Sequence, residues 1–70
     1  MKSDAALIRE ICAKTPCTVA DLVPYLFKRQ LDPHQMTFAF TETLAHVNRL
    51  VRRGEVRPRQ GEHQTVFVAV

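Results

Sequence analysis

Apolar residues recur with helical spacing up to Gly54 and with strand spacing after it. Leu7, Ile8, Ile11 and Cys12 fall at i, i+1, i+4 and i+5, which is one face of a helix. Ser3 or Asp4 can cap its start, and Glu10 and Lys14 form an i,i+4 pair on the other side. Thr15-Pro16 ends it, because a residue before proline is pushed out of the helical region. In the next stretch, TPCTVADLVPYLFKRQ, Thr18 and Asp21 make a T-x-x-D capping box. Val19, Leu22, Val23, Leu26 and Phe27 supply its buried face. Pro24 removes one backbone hydrogen bond in the second turn, so a kink or a division of the helix is expected there. Cys17-Thr18, just ahead of the cap, can form a very short strand.

The third helix opens at LDPHQ, with Asp32 as cap, Pro33 at the first helical position and Gln35 completing the box. Met36, Ala39, Phe40, Thr43, Leu44, Val47, Leu50 and Val51 line one face, and Gly54 supplies the left-handed residue that closes the helix. Phe38 stands off that stripe. Its position predicts a break near Phe38-Thr41, with Thr41 as a second cap; a contact with another molecule is the alternative. After Gly54 the period changes. EVRPRQ and QTVFVAV read as two strands around a Gly61-Glu62-His63 loop. Arg57 and Arg59 share one face, Val56 turns to the core, and Pro58 marks an edge strand because it cannot donate to a ladder. The expected common core is Leu7, Ile11, Leu22, Leu26, Phe40, Leu44, Val47, Leu50 and Val68.

Composition narrows the class. Of the 70 residues, 46% are apolar and two are glycine, a globular balance in one domain spanning 1–70. The net charge is +3, and residues 1–48 contribute none of it, with five Lys/Arg against five Asp/Glu. The whole excess lies in residues 49–70, where Arg49, Arg52, Arg53, Arg57 and Arg59 face only Glu55 and Glu62. Helix-end electrostatics accounts for the arginines of the last turn and leaves the others unexplained. Cys12 and Cys17 are read as free thiols in a reducing cytoplasm, since no signal peptide or bilayer-spanning run precedes or follows them. Cys12-x4-Cys17 lacks zinc-site spacing and His34, His46 and His63 are scattered, so neither a metal nor another cofactor is expected. Paired carboxylates, nucleophile–base spacing and a Gly-rich phosphate loop are missing, which predicts a protein that is not an enzyme.

The order of TVADLVPYL, then TETLAHVNRLVRRGEV, then RPRQGEHQTVFVAV resembles the winged helix-turn-helix superfamily. The L-x-x-x-G-x-V turn from Leu50 to Val56 carries that resemblance, which extends over nearly the whole chain and suggests the small stand-alone bacterial regulators. It implies an α+β fold of three helices followed by a C-terminal β-hairpin wing. The implied function is sequence-specific binding of double-stranded DNA in transcription regulation. Thr41, Glu42, Ala45, Asn48, Arg49, Arg52 and Arg53 would face the major groove, and Arg57, Arg59, Gln60, His63 and Gln64 would flank the wing tip on the backbone. The expected partners are DNA and a homodimer or larger protein complex, with no membrane. The alternative function is protein–protein interaction or oligomerisation without DNA.

Overall fold

The computed structural model describes residues 3–70. Three helices, α1 (Asp4–Lys14), α2 (Val19–Leu26) and α3 (Pro33–Arg52), precede two strands, β1 (Val56–Gln60) and β2 (Thr65–Ala69). Each helix begins on a side chain that accepts an orphan backbone N–H. Ser3 accepts from Ala6 N–H, Thr18 and Asp21 cap one another, and Asp32 and Gln35 do the same. Pro24 lies inside α2 without dividing it. The carbonyl it leaves without a partner belongs to Ala20, and both residues are exposed, so water can satisfy that group.

α3 closes on a Schellman motif. Glu55 N–H donates to the Leu50 carbonyl at 2.9 Å and Gly54 N–H to the Val51 carbonyl at 3.0 Å, with Gly54 at φ 75°. The chain then enters an antiparallel hairpin in which Val56 pairs with Ala69, Pro58 with Phe67 and Gln60 with Thr65. Phe67 turns its backbone away from Pro58. Its N–H and carbonyl bond to Cys17 instead, at 2.7 and 3.1 Å, in an isolated bridge. Pro58 therefore occupies a pairing position where no ladder hydrogen bond is required of it.

Ile8, Ile11, Cys12, Cys17, Val19, Leu22, Val47, Leu50, Val56 and Phe67 form the core, with Leu7, Leu26 and Leu44 packed against it. Two members of the expected core differ. Phe40 is 42% exposed, and Val68 lies on the outer face of the hairpin, opposite Arg57. Thr43 takes the interior place beside Val47, its hydroxyl donating to the Ala39 carbonyl at 2.8 Å.

The expected break at Phe38-Thr41 is corrected: α3 runs unbroken through it. Thr41 does not cap. Its hydroxyl donates back to the Thr37 carbonyl within the continuous helix. A helix needs no break to tolerate an outward aromatic side chain, and Phe38 stands 63% exposed.

Candidate functional site

Two surfaces of α3 differ in chemistry. Its C-terminal half and the hairpin carry the arginines, and its N-terminal half carries exposed apolar side chains.

At the basic end, Thr41, Glu42, Ala45, Asn48, Arg49 and Arg52 are all exposed along α3. Arg53, the C-cap, pairs through Nε with Glu55 Oε2 at 2.9 Å. Arg9 reaches the other oxygen of the same carboxylate from α1, at 2.5 Å. The half-buried Glu55 thus ties α1 to the end of α3, a structural use of charge that sequence spacing did not reveal. Both arginines are more than half exposed, so each pair contributes at most about 1 kcal/mol. Arg57 and Arg59 project from β1 on the face opposite buried Val56, alongside Val68 and Val66 of β2. Gln60, His63 and Gln64 are exposed at the hairpin tip. Gln60 Nε2 donates to the Gly61 carbonyl, and the Gln64 carbonyl accepts from Gly61 N–H at 2.9 Å.

The thiols are poorly placed for chemistry. Cys12 and Cys17 are free and buried. Burial, with Cys17 as neighbour, pushes the Cys12 thiol up to about 11, and burial followed by the charge of Asp21 also raises that of Cys17. Neutral thiols at pH 7 are weak nucleophiles and weak metal ligands. Among the described residues no three His, Cys, Asp or Glu side chains come together as a ligand set. His34 is in the first turn of α3, His46 lies 3.6 Å from Asp4 near its middle, and His63 is at the hairpin tip. Among the described residues no helix is long and apolar enough to cross a membrane.

At the other end of α3, Met36, Phe38 and Phe40 are 45%, 63% and 42% exposed, and Tyr25 on α2 is 49% exposed. Of these, Phe40 lines a shallow groove of about 280 Å³, together with Val19, Ala20, Leu44, Thr65 and Phe67.

Residues 5–69 match the family model described as metallo-beta-lactamase-like, C-terminal domain. Among solved structures, the chain is similar to a beta-lactamase domain protein from Burkholderia ambifaria, at 38% identity and a TM-score of 0.90. That match covers 96% of this chain and 20% of the other, so the chain spans about a fifth of the structure it resembles. No curated protein matches it.

These likenesses overturn the winged helix-turn-helix assignment, and with it the stand-alone regulator, double-stranded DNA as partner and the role in transcription regulation. The expected wing and major-groove roles of Thr41, Glu42, Ala45, Asn48, Arg49, Arg52, Arg53, Arg57, Arg59, Gln60, His63 and Gln64 rested on that assignment, and the likenesses give these residues no role of their own. They likewise displace the alternative of a winged-helix interaction module. The physical reason lies in the turn that carried the resemblance. Leu50 to Val56 is a Schellman closure feeding a strand, which any helix that runs into a hairpin can use.

Proposed function

This chain belongs to the metallo-beta-lactamase-like, C-terminal domain family, and from that premise we propose that it serves as one compact module of a metal-dependent hydrolase. The expectation of a protein apart from enzymes is set aside. In this reading the chain belongs to a hydrolytic protein without supplying its metal centre. The observation that carries the reading is the extent of the match: nearly all of this chain corresponds to a fifth of a beta-lactamase domain protein, at a TM-score of 0.90. The side-chain chemistry supports it. The family name implies a metal, and the described residues do not fit one, because they offer no ligand cluster and their thiols are held neutral.

The test is a replacement. The matching segment of the Burkholderia ambifaria protein is exchanged for this chain. Metal content and hydrolysis of a chromogenic β-lactam and ester panel are then measured beside the unmodified protein and the 70-residue chain alone. The expected result is a chimera that retains the metal content and rates of the unmodified protein, and an isolated chain that holds no stoichiometric metal and hydrolyses nothing. A metal-loaded, hydrolytic isolated chain, or a chimera that does not fold, would reject the reading.

A further inference from the structure

We propose that the N-terminal half of α3 is the surface on which this chain docks against a metallo-beta-lactamase-like domain, with Phe38 and Phe40 gripping from its two flanks. The proposal rests on the reading above and deepens it by naming the contact surface.

From Pro33 to Thr41 the helix has no Asp, Glu, Lys or Arg. Successive helical residues are about 100° apart, so Phe38 and Phe40 project about 100° to either side of Ala39. Ala39 is the residue that enters the core, at 1% exposure. Met36 stands one turn before Phe40 on the same flank. The chain therefore buries only the narrow line through Ala39 and leaves three large apolar side chains in water. A helix segment that is apolar on both flanks is characteristic of one buried on both. The groove that Phe40 lines with Val19 and Leu44 gives a partner side chain a concave place to enter.

The chemistry of this half selects the occupant. The segment itself has no Lys or Arg; Lys28 and Arg29 lie in the loop before it, and Arg49 and Arg52 are two or more turns further along α3. It suits an apolar face of a folded domain. That domain is the metallo-beta-lactamase-like one, because the structure this chain matches has four-fifths of its length outside the match. Arg49, Arg52, Arg57 and Arg59 then remain at the far end as solvated charge.

Phe38→Ser and Met36→Ser are made in both the isolated chain and the chimera, and melting midpoints are compared. In the isolated chain the midpoint is expected to stay within about 2 °C of wild type, because Phe38 is 63% and Met36 45% exposed there. In the chimera each is expected to lower it by at least about 4 °C. Sedimentation of the isolated wild-type chain should give a monomer. A chimera that folds and keeps its metal, yet is indifferent to both substitutions, overturns the docking surface while leaving the family reading intact. An isolated-chain loss equal to that in the chimera overturns it too, as does a dimer of the isolated chain that Phe38→Ser dissolves.

Discussion

A methyl group at Gly61 would sit 2.5 Å from the Gln64 carbonyl oxygen and 3.2 Å from Val66 Cγ1. The carbonyl is backbone and already engaged by Gly61 N–H, so the hairpin tip would have to move. Gly61→Ala is expected to destabilise the chain by about 1–3 kcal/mol, read as a lower urea midpoint at unchanged slope. Gly54 differs, because nothing crowds its missing Cβ and only its φ of 75° disfavours a side chain. Gly54→Ala should cost about 1–2 kcal/mol. Cys12 adds a pH dependence. Its thiol is pushed up from 9.0 to about 11 in the folded chain, so the unfolded thiol releases its proton first. The stabilisation is fully present below about pH 9 and is lost as pH rises toward 11. Urea midpoints should fall across that window, and less steeply in Cys12→Val, which has no proton to lose. The two glycines were legible in the sequence as turn residues. The Arg9–Glu55–Arg53 tie was not, since its partners are far apart in the chain and meet only once α1 and α3 are packed.

Helix starts were the most legible elements, because a capping box is complete within four residues and owes nothing to tertiary structure. Asp32→Ala removes the side chain that accepts from Gln35 N–H at 2.8 Å and should cost about 1 kcal/mol, seen as a lower thermal midpoint. Leu50→Ala acts at the other end of α3, where the side chain is 1% exposed, and should cost about 2–5 kcal/mol. The short Cys17 strand could also be read, and the bridge to Phe67 shows its use: it joins the start of α2 to the hairpin. What failed was the stretch from Met36 to Phe40. Stripe reasoning assumes that a chain buries its own apolar residues, so it puts Phe40 in the core and expects at Phe38 a break or, as the alternative, a contact with another molecule. Both are exposed on a continuous helix. The pattern of these 70 residues carries no trace of a partner that would cover them.

At the scale of the molecule, the same limit explains the misassigned family. Capped helices, a Schellman turn and a basic hairpin are generic devices, and arginines at a helix end look alike whether they meet an anion or water. Membership of the metallo-beta-lactamase-like, C-terminal domain family came from similarity along residues 5–69, which no single motif in the chain carries. A module docked on a hydrolase domain, as proposed above, should unfold together with that domain. Differential scanning calorimetry of the chimera tests this directly. The expected result is one transition, with calorimetric and van't Hoff enthalpies in agreement. A separate transition at the midpoint of the isolated 70-residue chain would contradict it.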